Sequence, residues 1–137
     1  MNDFLSFSDF YDSLEDNQKE AFNISNDSKS FALNSDFTYE NDNTNSLTIL
    51  KEEELNIEYH TFQIQSRINI NIYGKVYSGN TDNNFNVNSN DKKFNICETS
   101  TITKIHINVS DYAIVNISGN INDVTIIGSQ PSATINI

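Results

Sequence analysis

The side chains that could do chemistry are few and poorly placed for it. Cys97 with His60 or His106 supplies the ingredients of a thiolate–imidazole pair, in which the ring takes the thiol proton and leaves a nucleophile. Cys97 nevertheless falls in a series of apolar positions, where a cysteine is a small core residue. His106 alternates with Ile105 and Ile107, as a surface residue of an extended chain does. Neither histidine is spaced from a second ligand as a zinc pair would be. The segment "DNNFN", Asp82 to Asn86, opens as a calcium loop does, but Val87 stands where the turn needs glycine and Lys93 where the bidentate acid belongs. With four glycines, the chain has no loop to cradle a phosphate. Glu52, Glu53, Glu54 and Glu58 crowd enough carboxylate to hold a cation or move a proton, yet such a run is ordinarily a solvated face. The expectation is a protein that is not an enzyme and carries no cofactor and no metal.

What remains is charge. Segment 1–60 holds 14 acids against 3 lysines, and segment 61–137 holds 5 acids against 5 bases, so the whole formal charge of −11 lies in the first of the two. Asn and Ile are both abundant. An A/T-rich coding sequence would favour both, but it would favour lysine as well, so the acidity needs its own reason. A segment so charged is repelled by phosphate backbones and anionic membranes and drawn to basic surfaces. Neither direct nucleic-acid binding nor membrane binding is expected; a protein partner with a basic surface is. The start, "MNDFLSFSDFYDSLED", has no basic leader, and no window approaches the roughly 18 apolar residues of a membrane span. One cysteine cannot form an internal disulfide, which favours a cytoplasmic location, the host cytoplasm if the chain is phage-encoded.

The acidic end has a pattern. Phe4, Phe7, Tyr11 and Leu14 recur at helical spacing, with Asp9, Asp12, Glu15, Asp16 and Glu20 largely on other faces, which predicts a short amphipathic acidic α-helix capped by Ser6 or Ser8. Its plain role is to pack the aromatic stripe on the rest of the protein. Its functional role would be docking, with Phe4, Phe7 and Tyr11 as anchors and Asp9, Asp12, Glu15, Asp16, Glu52, Glu53 and Glu54 meeting a basic rim. Surface acids can also imitate nucleic-acid phosphates. In size and charge the chain resembles the small acidic anti-defence inhibitors of phages, of the anti-CRISPR type.

The elements that would carry these residues are mostly strands. Residues 23–45 read as a connector, and 46–58 as strand, turn, strand. Phe62, Ile64, Ile68, Ile70, Ile72 and Val76 share even parity, which predicts extended chain with one buried face. Val87, Cys97, Ile107, Ile117, Ile127 and Ile137 then recur every ten residues, with "SGNTD", "NSNDK", "SGNIN" and "GSQPS" as turns between them. Apolar–Asn–apolar triplets such as Phe94–Asn95–Ile96 and Val115–Asn116–Ile117 suggest like residues stacked on like. A β-solenoid with ten residues as half a circuit is favoured, and an antiparallel β-sandwich or meander is the alternative. The expected division is 1–45, acidic helix and connector, and 46–137, repetitive β domain. Ile135 and Ile137 would form an uncapped edge for self-association into a homo-oligomer. A self-assembling scaffold or virion component is therefore the alternative function, and in size and lack of a signal such a chain resembles the bactofilin scaffolds, without their regular glycines.

Overall fold

Period-two burial runs through the central sequence: Leu47 and Ile49, Leu55 and Ile57, Phe62 and Ile64, Ile70 and Ile72 are buried, while the residues between them are half-exposed. Each such pair marks a strand with one face inward. The structure, a computed structural model, describes residues 2–41, 44–64 and 69–78, and beyond these the six strands from Phe85 onward given below; side-chain surroundings are described as far as Tyr77.

In chain order the elements are β1 (Asn2–Phe4), α1 (Phe7–Asp12), α2 (Asp16–Lys19), β2 (Phe22–Ile24), β3 (Ser30–Leu33), β4 (Phe37–Tyr39), β5 (Thr44–Ile49), β6 (Glu54–Glu58), β7 (Phe62–Ile64), β8 (Asn69–Ile72) and β9 (Lys75–Ser78). They continue with β10 (Phe85–Val87), β11 (Lys93–Ile96), β12 (Thr101–Asn108), β13 (Ile114–Ile117), β14 (Asn120–Ile127) and β15 (Thr134–Asn136). The protein is thus mainly β. The strand, turn, strand expected at 46–58 is present as β5, the turn at 50–53, and β6.

The strands form three sheets. The first has the order β1-β5-β8-β11-β13-β15, the second β14-β12-β9-β6-β3-β2, and the third β10-β7-β4. From β3 the chain visits the second, third and first sheets in turn and repeats that circuit at β6 and at β9. Neighbours within a sheet pair parallel, except β2 with β3. An antiparallel meander joins sheet neighbours by hairpins; here neighbours lie one circuit apart in sequence.

Register makes columns of like residues. In the first sheet Leu47, Ile70, Phe94, Val115 and Ile135 are successive partners, and beside them run Thr48, Asn71, Asn95, Asn116 and Asn136. In the third, Phe37, Phe62 and Phe85 align, and the rings of Phe37 and Phe62 stack with centroids 5.4 Å apart and planes at 20°.

These pairings also correct the ten-residue column. Leu47 to Ile70 and Ile70 to Phe94 are longer steps along the sequence than Val115 to Ile135, and of the three only the last equals two steps of ten. The circuit shortens because the third sheet has no described strand after β10, and β12 and β14, at eight residues each, follow instead. Ten residues is therefore near half a circuit only toward the C-terminal side. Even there Ile107 pairs with Ile126, and Ile127 with Asn108. Three positions of "SGNIN" belong to β14 rather than to a turn, while "NSNDK", "GSQPS", Ile68, Cys97 and Ile137 lie outside the described residues.

Two further expectations change. The single helix is two, of six and four residues, because Ser13 ends α1 by donating its hydroxyl to Phe10 O at 2.6 Å, and Glu15 opens α2. Ser6 is the cap: its Oγ accepts the Asp9 N–H at 3.0 Å. Residues 23–45 are not a plain connector, since β3 and β4 pair with β6 and β7. Their polar sequence conceals buried Phe31, Leu33, Phe37 and Tyr39.

Candidate interaction surfaces

The aromatic stripe lies within the core. Phe7 and Phe10 are fully buried, and the Phe7 ring meets Phe31 at 4.7 Å, Phe10 at 5.3 Å, Phe22 at 5.8 Å and Phe62 at 5.9 Å between centroids. Phe4 is buried against Phe10 at 5.6 Å. Tyr11 is half-buried, edge-on to Phe22, with the Lys19 ammonium 5.6 Å from its ring centre. The docking role read for Phe4 and Phe7 is corrected accordingly: residues at the centre of a ring cluster cannot anchor a partner without unpacking it.

The glutamate run divides by position. Glu53 is 1% exposed, and its Oε1 accepts the N–H of Phe7 at 2.9 Å and of Leu50 at 2.8 Å, while Oε2 accepts the Ser8 N–H at 3.0 Å. A buried carboxylate is tolerable when backbone donors satisfy it, and here two of the three are unpaired N–H groups of the first turn of α1. Its expected place on a solvated rim is therefore also corrected. Glu52 and Glu54 remain outside, 3.7 Å from Lys29 and 3.8 Å from Lys75. No sequence signal separates Glu53 from its neighbours; only its position in the turn between β5 and β6 does.

Against that turn, from the bend between β8 and β9, packs a residue that sequence reading passed over. Gly74 is buried with its N–H donating to Ile49 O at 3.2 Å, while Glu53 O accepts from Lys75 at 3.1 Å. A Cβ there would collide with the Leu50 and Glu53 carbonyl oxygens and press Ile49 Cγ2 at 3.1 Å. Glycine is required because two circuits of backbone meet at this point.

Asp9, Asp12, Glu15 and Asp16 are exposed at α1 and α2, whereas of the three expected anchors Phe4 and Phe7 are buried and Tyr11 is half-buried. A hollow of about 340 Å³ beside them is lined by Asn2, Phe4, Leu14, Glu15, Tyr39 and Asn41 among others. Of its lining residues, Tyr39 shares a buried hydroxyl–hydroxyl hydrogen bond with Thr44.

Of the catalytic candidates, Cys97 lies outside the described residues. His60 Nδ1 lies 3.6 Å from Asp36 Oδ1 at the surface, and His106 is placed only by register, opposite Thr125. Among the described residues no three His, Cys, Asp or Glu side chains gather as a metal site, and no helix is long and apolar enough to cross a membrane. Phe85–Val87 of the calcium-like segment is strand β10. Ile135 is the central residue of β15, at the edge of the first sheet.

No family model matches the sequence, and no curated protein or solved structure matches it either. Function must therefore be argued from the chain's own surfaces.

Proposed function

We propose that this is a non-catalytic assembly protein, a parallel β-solenoid that associates through the strand edges of its C-terminal side. The carrying observation is register: Leu47, Ile70, Phe94, Val115 and Ile135 follow one another across five parallel strands. In such a stack each circuit is the template for the next, and an edge strand offers a row of N–H and C=O groups to another chain. Light scattering over a range of concentrations tests it. A mass that rises above the 15.5 kDa chain supports the reading, and a monomer throughout overturns it.

A second reading rests on the exposed Asp9, Asp12, Glu15 and Asp16. They form an acidic end that docks on a basic protein, in the manner of a phage-type inhibitor occupying a groove meant for nucleic acid. Displacement of duplex DNA from a basic DNA-binding protein, at about 150 mM salt where remote charge is screened, is the test. Reversal of all four acids to lysine should abolish displacement; an equally active reversed chain eliminates this reading.

A further inference from the structure

We infer that two copies of this chain join tail to tail through β14, about a two-fold axis, as a closed dimer; this rests on the assembly reading above and names its partner and stoichiometry.

The sheet edges are unequal. On the N-terminal side they are β1, β2 and β4, each of three residues. β1 carries Asp3, whose Oδ1 accepts from Ser46 Oγ at 3.0 Å, and β2 turns back antiparallel on β3. Beside them α1 holds Phe7 and Phe10 in the core, with exposed acids above. Short strands, charge and a covering helix are the devices that keep an edge from pairing. β14 is not short, and among the described residues no helix packs on it. It runs eight residues, "NINDVTII", contains one charge, and has β12 on one side and, among the described residues, no strand on the other. Length, β-branched content and low charge make it the edge best suited to accept a strand.

Charge selects the occupant. Segment 1–60 carries the entire −11, so two acidic ends repel, while segment 61–137 balances at 5 acids and 5 bases and two copies of it tolerate one another. An edge meeting its own copy about a two-fold axis pairs antiparallel, and the isologous contact closes at two chains because each edge is used once. With the axis normal to the sheet, like faces stay together, so paired residue numbers have an even sum. Centring on Asp123 would oppose two carboxylates; centring on Val124 sets Asp123 opposite Thr125 of the second copy.

The test uses the full chain. Light scattering should plateau at twice 15.5 kDa. Thr125→Asp should weaken dimerisation on the order of tenfold and Thr125→Lys should tighten it, because each acts twice across the axis. In a Cys97→Ala background, Val124→Cys should oxidise to a covalent dimer, since facing Cα atoms in an antiparallel pair lie at about 4.5–5.5 Å, whereas Asp12→Cys should not. The cysteine pair reads the interface even where an aspartate variant fails to fold. Masses that climb without a plateau overturn the closed dimer and leave the assembly reading standing; a monomer overturns both. A dimer indifferent to position 125 and unlinked through position 124 removes β14 as the interface.

Discussion

Glu53 Oε1 accepts the backbone N–H of Phe7 at 2.9 Å across 46 residues of sequence. The same oxygen accepts from Leu50 at 2.8 Å, so one buried carboxylate ties the first turn of α1 to the turn between β5 and β6. Glu53→Ala leaves one buried and two part-buried donors without that acceptor and should cost about 3 kcal/mol. Glu53→Gln keeps an oxygen for Phe7 and Leu50 but turns an NH2 toward the Ser8 N–H, and should cost about 1–2 kcal/mol. Urea midpoints of the two variants check the order, and equal midpoints to wild type would remove Glu53 as a tie.

Phe7→Ala should destabilise by about 3–5 kcal/mol, the range for emptying a large ring from a packed core. Reversing Asp12 or Asp16 to Lys should change stability by no more than about 0.5 kcal/mol, as exposed positions do. Thermal unfolding of the three variants separates the aromatic half of the acidic segment, which holds the fold, from the charged half, which is free to meet a partner.

Gly74→Ala should be among the most damaging single-methyl changes in the chain, about 3 kcal/mol or more, because the obstacle is backbone oxygen and cannot rotate away. Glu58 is the opposite case. It sits at φ 58° at a register shift in β6, with its N–H donating to Asn56 Oδ1 at 3.0 Å. Glu58→Gly removes a left-handed strain of about 1 kcal/mol and should raise the unfolding midpoint. A lowered midpoint for Glu58→Gly would contradict this account.

The turn from Ser25 to Lys29 should loosen in acid. Asp27 accepts from the Ser25 hydroxyl and, at 3.1 Å, from the Lys29 N–H, and these bonds hold its carboxyl below the ordinary range, the Ser25 bond first. A carboxyl depressed in the folded state contributes stability above its unfolded pKa, and that contribution is lost as pH falls through the folded value. The protection factor of the Lys29 amide, the unstructured exchange rate relative to its own at the same pH, should therefore fall at pH values below the usual aspartate pKa of about 3.9. Asp27→Asn should flatten that dependence.

The class of the fold was legible because period-two burial is a local property: Leu47 to Ile49 and Ile70 to Ile72 announce strands through their alternation alone. The helical spacing of Phe7 and Tyr11 was equally plain, as was the confinement of net charge to segment 1–60. Local spacing does not reveal what an aromatic packs against, so Phe7 read as well for docking as for core until Phe31 and Phe62 were brought to it from later strands.

The sequence by itself thus determined strand content, parity and charge layout, since each depends on neighbours along the chain. The tertiary structure decided which strand lies beside which, that Glu53 alone of its run turns inward, that Gly74 lies under a carbonyl of the preceding circuit, and that Ile107 meets Ile126 instead of Ile127. Those are contacts between positions one circuit apart, and the circuit is not of constant length: the step from Phe37 to Phe62 is longer than the step from Ile107 to Ile126. A fixed spacing cannot find them; pairing of one strand on the next, residue by residue, can.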